Sequence, residues 1–245
     1  GTGVGRATVL ELAARGCSVL VDYSRSREAA EATAAEARDR GVRAVALCAD
    51  VADDGACRAM VARAVQEFGR LDVLVNNAAT TRFVPWQDLE GVDVDDWESI
   101  FAVNVRGLFQ CVRAAKDALA ADGGGAVVNL ASLAGIAGGG SSIPYALSKA
   151  AVIALTRGLA PVLGPQVRIN AVAPGFITGR WLGEGLGEAY EPVKQMMSAK
   201  TPLGRVCEPE DVAAAILALL DGSDMVSGQT VVVDGGLGSV GPLGI

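Results

Sequence analysis

Tyr145 and Lys149 stand one helical turn apart in the stretch PYALSKAAVIALTRGLA, residues 144–160. A phenol held against a carbonyl or alcohol oxygen can give or take a proton there. Its free pKa is about 10, so lowering it by about three units requires roughly 4 kcal/mol of preference for the phenolate. An ammonium group on the next turn carries charge of the right sign for that. The same spacing also arises in helices without chemistry, where a lysine stem snorkels to water, so the rest of the chain decides between the two readings. The chain has no histidine. That excludes a Ser-His-Asp triad, a Cys-His pair and most zinc sites, and no metal centre is expected.

The elements that must position this pair follow from the hydrophobic pattern. Residues 144–163 read as a helix with a stripe of Ala146, Ala150, Ile153, Leu155 and Leu159, and with Pro144 at its start, where a missing N–H costs nothing. Short β-branched runs at 18–23, 42–48, 71–76, 125–131, 167–172 and 229–234 alternate with helical patterns at about 4–15, 26–40, 54–68, 95–121, 144–163 and 208–220. This alternation predicts an α/β fold, a doubly wound, Rossmann-like parallel sheet covered on both faces by helices. The strand runs are nearly continuous in apolar residues, as strands buried on both sides must be. No repeat and no linker divides the chain, so one domain is expected over 1–245. A loop at 77–94 and an insert at about 179–203 interrupt the rhythm.

Bulk properties narrow the class. The 245 residues are 51% hydrophobic, enough for a substantial core. A net charge of −7 argues against nucleic acid as a partner. No uninterrupted apolar run approaches the roughly 18 residues that span a bilayer, and no leader pattern is visible. Cys17, Cys48, Cys57, Cys111 and Cys207 are scattered, odd in number and without a Cys-x-x-Cys pair, which points to reduced thiols in a cytoplasmic protein.

In an open parallel sheet a ligand binds outside the carboxyl ends of the strands. There the sequence delivers Tyr23, Ser24 and Arg25, then Asp50-Val51, then Asn76-Asn77-Ala78-Ala79, then Ser132, then Pro174-Gly175. Each has a dull explanation as a turn residue, but one ligand explains all five. At the other end of the chain, GTGVGRATVLELAARG looks like the second half of a phosphate-binding turn feeding a helix. Gly3 lets backbone approach a pyrophosphate, Gly5 allows close packing, and the helix start offers free N–H groups and positive potential. The strand that leads into such a turn is missing from this chain, and about ten further residues upstream are expected, enough for a typical strand and its turn.

With these pieces in place the chain resembles the short-chain dehydrogenase/reductase family in its common form of about 250 residues. The resemblance rests on GTGVG, ADV at 49–51, LVNNAA at 74–79, Asn104 in VNVRG, Ser132 in NLAS, YALSK at 145–149, NAVAPG at 170–175 and VDGG at 233–236. It implies hydride transfer between NAD(P)(H) and an alcohol or ketone, with Asn104, Ser132, Tyr145 and Lys149 catalytic. Tyr145 would be the general acid/base, Ser132 would hold the substrate oxygen, and Lys149 would also bind the nicotinamide ribose. Asn104 would hold a water linking the lysine to solvent.

For the cofactor the resemblance implies contacts from Thr2, Gly3 and Val4 at the phosphates. Asp50 and Val51 would meet the adenine, Asn77 and Ala78 the adenosine ribose, and Pro174, Gly175, Ile177 and Thr178 the nicotinamide. The family places a threonine where this chain has Gly179, and Thr178 sits one residue early. At the end of the 18–23 strand, Tyr23 rather than Asp22 falls at the discriminating position, and Ser24 and Arg25 then face the ribose 2′ position. An arginine there accepts a phosphate, which favours NADP over NAD.

The insert at 179–205 carries Trp181, Leu182, Leu186, Tyr190, Met196 and Met197 among glycines and reads as a lid over the substrate. Glu184, Glu188 and Glu191 disfavour a strongly anionic substrate tail. Two other functions stay open. A 3-oxoacyl-carrier-protein reductase would need a basic docking patch, for which Arg106, Arg113 and Lys116 are candidates. A non-catalytic NAD(P)-binding regulatory protein would have no need of all four catalytic positions. The resemblance further implies a homotetramer built on the 95–121 and 144–163 helices and the last strand.

Overall fold

The computed structural model describes residues 1–239; the last residues of the domain expected over 1–245 lie outside them. Among the described residues there are six strands, each paired in parallel with its neighbours: β1 (Val19–Tyr23), β2 (Ala44–Cys48), β3 (Val73–Asn76), β4 (Gly125–Leu130), β5 (Val167–Pro174) and β6 (Thr230–Val233). They fall into two pieces, β1 beside β2 and the continuous order β3-β4-β5-β6. Register is fixed by apolar residues meeting across the strands, such as Val75 opposite Val128 and Val127 opposite Ile169. Within each piece the strands run the same way, so their carboxyl ends share one edge.

Helices cover both faces. On one side α3 (Asp54–Phe68), α5 (Leu108–Ala120) and α7 (Ile143–Leu163) bury Val61, Leu108, Val112, Leu119 and Val152 against Val127, Ile169 and Ala171. On the other, α10 (Pro209–Asp221) buries Val212, Ile216 and Leu219 against Val128, Leu130 and Val172. There α1 (Gly3–Ala14) and α2 (Arg27–Asp39) close over β1, with the small side chains Ala30, Ala34 and Ala37 fully buried at helical spacing. The doubly wound, Rossmann-like arrangement expected from the sequence is the one observed.

The helix expected over 95–121 is divided. It begins as α4 (Val94–Phe101), capped by Asp93, whose carboxylate accepts from the Asp96 N–H at 2.9 Å. It then opens into a π-helical segment, Ala102–Gly107, before α5 resumes. The widened turn splits the apolar stripe. Leu108 and Val112 enter the core, whereas Phe101 and Val105 line an outer depression with Phe109 and Leu155. Gly107 makes the inner approach possible, since a Cβ there would lie 2.9 Å from the carbonyl oxygen of Val51.

Helix α7 is long and apolar enough, by length and composition, to cross a membrane. It carries Lys149 and Arg157, and its buried side chains pack on the sheet. The insert at 179–203 is two helices, α8 (Arg180–Leu186) and α9 (Tyr190–Lys200), joined by a short 3₁₀ turn. A single turn, α6 (Ala134–Ala137), stands between β4 and α7.

Candidate active site

Three of the residues nominated for chemistry meet at the carboxyl edge of β4 and β5. Ser132 follows β4, and its hydroxyl closes the turn by accepting from the Ala134 N–H at 3.2 Å. Tyr145 is in the first turn of α7, where the Ser142 hydroxyl accepts from its N–H at 3.4 Å. Lys149, one turn on, is 3% exposed. Its ammonium lies 5.7 Å from the centre of the Tyr145 ring and donates to the Leu130 carbonyl at 2.6 Å. So the lysine is not bonded to the phenol; it spans from α7 to the end of β4 directly beside it.

The electrostatics differ from the expectation that Lys149 lowers the tyrosine. Burial pushes the Tyr145 phenol above its ordinary value, and the neighbouring Ser132 hydroxyl pulls in the opposite direction. Lys149 is itself lowered to about 8 by burial. The reason is desolvation, which penalises the charged form of each group. In this state Tyr145 is a protonated phenol at neutral pH.

Asn104 lies behind the pair. Its carboxamide oxygen accepts from the Thr80 N–H at 2.8 Å, and its nitrogen donates to the Thr80 carbonyl and to the Ser148 hydroxyl, both at 3.0 Å. Ser148 in turn donates to the Tyr145 carbonyl at 2.7 Å. Both amide donors are therefore engaged with protein, and any water held at Asn104 must use its remaining acceptor or the backbone of the π segment. The sequence nominated Asn104 but not its partners Thr80 and Ser148. It also missed a buried chain beneath the site. Asn76 donates to Asn129 at 2.9 Å, and Asn129 donates to Thr156 at 2.9 Å. The signal for it is present, since Asn129 is a polar residue in the otherwise apolar run GAVVNLA.

The residues nominated for the cofactor lie along the same edge. At the start of α1, Gly3 has φ +52°, and nothing lies within 4 Å of where its Cβ would stand. The first N–H groups of a helix have no partner inside it, so this opening fits a pyrophosphate between Thr2 and Val4. Gly5 abuts Asn77, whose amide nitrogen would be 2.9 Å from a Cβ there. Ala78 is exposed just beyond. Asp50 accepts from the Ala52 N–H at 2.9 Å, and Val51 is buried with its carbonyl taken by Gln110 at 2.8 Å. Ser24 and Arg25 are exposed past the end of β1, next to half-buried Tyr23. Asp22 differs from them: its Oδ1 is buried without a partner among the described residues, and burial pushes its carboxyl up to about 6. Pro174 ends β5, and Gly175 is pressed on Asp234, 2.8 Å from a would-be Cβ. Ile177 bridges to Cys207, and the Thr178 N–H donates to the Cys207 carbonyl at 2.8 Å.

Aromatic rings from the 176–190 segment stand beside Tyr145. Trp181 of α8 lies over Tyr145 with ring centres 6.3 Å apart. Phe176 stacks on Tyr190, whose hydroxyl accepts from the Gly179 N–H at 3.3 Å. The 77–94 loop is tied to the 138–141 turn by Val84 N–H to the Ser141 carbonyl at 2.8 Å and by the Thr81 and Ser141 hydroxyls at 2.6 Å.

Similarity to known proteins extends over nearly the whole chain. A family model described as enoyl-(acyl carrier protein) reductase matches residues 1–238. A Streptomyces violaceoruber protein named as a ketoacyl reductase of the granaticin polyketide synthase is 43% identical over 235 residues, 96% of this chain and 92% of its own. A solved structure described as a short-chain dehydrogenase/reductase from Burkholderia xenovorans superposes with a TM-score of 0.88 at 36% identity, covering 96% of this chain and 94% of the other. NAD+-bound xylitol dehydrogenase follows with a TM-score of 0.86 at 31% identity, covering 95% and 94%.

Proposed function

The chain belongs to the short-chain dehydrogenase/reductase family and is an NAD(P)-dependent oxidoreductase; from that premise we propose that it reduces a ketone to an alcohol with Tyr145 as the proton donor. The observation that carries this reading is the meeting of Tyr145, Ser132 and buried Lys149 at one strand edge. A nicotinamide held by the residues named below would supply the hydride. Ser132 accepts a place beside the carbonyl oxygen and orients it toward the phenol. Tyr145, held protonated by its burial, donates to that oxygen as negative charge develops on it. Lys149 stands over the ring and favours the phenolate left behind. Asn104 and Ser148 position the Tyr145 backbone rather than touching the substrate.

NADP is the proposed cofactor, because Arg25 is exposed at the end of β1 and makes no ion pair among the described residues, while Asp22 is turned into the fold. Thr2, Gly3, Val4, Asp50, Val51, Asn77, Ala78, Pro174, Gly175, Ile177 and Thr178 are proposed to line it. A 3-oxoacyl group on a carrier protein is the second reading, favoured by the name of the Streptomyces relative. Its docking patch is weakened here: Arg113 bonds Asp54, Lys116 lies 3.7 Å from Asp117, and Arg106 shares its depression with Asp95 and Glu98. That depression, of about 1070 Å³, and exposed Phe109, Leu147, Val231 and Val232 support self-association, for which we propose a homotetramer. All five cysteines are free, in keeping with a reducing cytoplasm.

The test is a steady-state assay with NADPH and NADH against neutral ketones and acyl-carrier thioesters. Turnover of free ketones with NADPH supports the reading. Cofactor binding without turnover of anything offered would favour the regulatory alternative, and a salt-sensitive rate confined to carrier-bound substrate would favour the second reading.

A further inference from the structure

Three aromatic side chains from two separate segments gather at α8 and the 138–140 turn, beside Tyr145. Trp181 comes from α8, with its ring centre 6.3 Å from that of Tyr145 and the planes tilted by 49°. Trp86 comes from the 77–94 loop, and its ring edge lies 3.7 Å from where a Gly138 Cβ would stand. Phe83, from the same loop, packs against α8 at Gly185, so close that a Cβ there would overlap the ring. Beside Trp86 and Tyr145 runs Gly138-Gly139-Gly140, three residues at positive φ with no side chains, and a Cβ at Gly140 would lie 3.5 Å from the Tyr145 ring. Trp181 and Trp86 are 43% and 36% exposed, which leaves their faces available to a ligand.

The arginines of these two segments, Arg82 and Arg180, are already paired with carboxylates. Arg82 is bonded to Asp96 at 2.6 Å and Asp93 at 3.3 Å, and Arg180 faces Glu184 at 3.8 Å. Recognition at this mouth therefore falls to shape and to ring faces. A side-chain-free glycine run beside tilted rings leaves a slot rather than a round pocket, and aromatic pairs prefer offset or tilted contact at such separations.

We infer that this slot selects flat aromatic ketones, with Trp181 and Trp86 as its specificity-determining residues. The inference rests on the reading of Tyr145 as proton donor to a ketone and adds the substrate class to it.

A pair of ketones with one carbon skeleton tests it: 2-tetralone, with a fused benzene ring, and trans-2-decalone, its saturated counterpart, each with NADPH and the full chain. The expected result is kcat/KM about tenfold higher for 2-tetralone, the scale of one good aromatic contact. That ratio should fall toward one in both Trp181→Leu and Trp86→Leu. An independent readout is the emission of Trp181 in a Trp86→Phe/Trp97→Phe background, which 2-tetralone should quench and trans-2-decalone should leave unchanged. Equal kcat/KM for the two ketones, or a ratio that survives both leucine variants, would overturn the substrate class while leaving the oxidoreductase chemistry standing. If neither ketone turns over with NADPH or NADH, the Trp181 emission decides the substrate class alone: an equal response to both ketones overturns it.

Discussion

The Lys149 ammonium donates to the Leu130 carbonyl at 2.6 Å and so pins the first turns of α7 to the end of β4. The price of this placement is a charge taken almost wholly out of water. Burial lowers the lysine from 10.5 to about 8. Between those values the unfolded chain binds the proton and the folded chain does not. Stability tied to Lys149 is therefore fully present above about pH 10.5 and is lost as pH falls through about 8. The gap corresponds to about 3 kcal/mol at 1.36 kcal/mol per pH unit. Urea denaturation of the protein and of Lys149→Met across pH 7–11 should show the native chain gaining on the variant by a large part of that amount. Parallel curves would contradict the buried-ammonium assignment.

Replacing Tyr145 by Phe removes only the phenol oxygen. The ring remains for Trp181 and for the lysine above it, so folding and cofactor affinity should change little. A general acid contributes about 10²–10⁴ in rate, and kcat should drop by that order while the cofactor Kd, read by fluorescence titration, stays within about threefold. Undiminished kcat would remove Tyr145 from the chemistry.

Asn104 serves three hydrogen bonds at once, two to Thr80 and one to Ser148. Asn104→Ala strands the buried partners as well as deleting the bonds, and each orphaned group costs about 1–3 kcal/mol. We expect the variant to lose about 3 kcal/mol in denaturant melts and to become sensitive to protease near Thr80, where the 77–94 loop is released from the π segment. A loss below about 1 kcal/mol would mean that the loop is held by Val84 and Thr81 alone.

Arg25 is the one proposed cofactor contact whose charge can tell the two dinucleotides apart. Arg25→Ala should raise the KM for NADP by about tenfold or more and leave that for NAD within about twofold, since only the former carries a 2′-phosphate. An equal effect on both would indicate a surface charge without a role in selection.

The strands, the helices and the Tyr145–Lys149–Ser132 cluster were legible in the sequence because each rests on local pattern: apolar runs, helical stripes and a fixed spacing. What escaped was decided by contacts distant in the chain. AVNVRG has ordinary helical periodicity, and only the fit of Gly107 against Val51 makes its π turn intelligible. The Asn76–Asn129–Thr156 chain needs the register that sets Asn76 beside Asn129 across β3 and β4. Trp86 and Phe83 stand in a loop without period, so nothing local shows that they reach the glycine run and α8. The bond from Lys149 to Leu130 turns on a side-chain direction that spacing leaves open.

Gly135 is where α6 rests on α7. A Cβ there would lie 2.6 Å from the Ala150 nitrogen and 2.6 Å from the Lys149 carbonyl carbon, both backbone atoms in mid-helix that cannot step aside. Gly135→Ala must therefore lift α6, and with it the turn that Ser132 closes three residues before. Overpacking of this kind costs about 1–3 kcal/mol. Because Ser132 moves relative to Tyr145, the expected kinetic signature is a fall in kcat of at least about tenfold, as misplacement by about 1 Å can cost more than that. The cofactor Kd should be retained, since the start of α1 is untouched. Stability and kcat both at native values would mean that α6 shifts without carrying Ser132, and the serine would then have to be positioned by β4 alone.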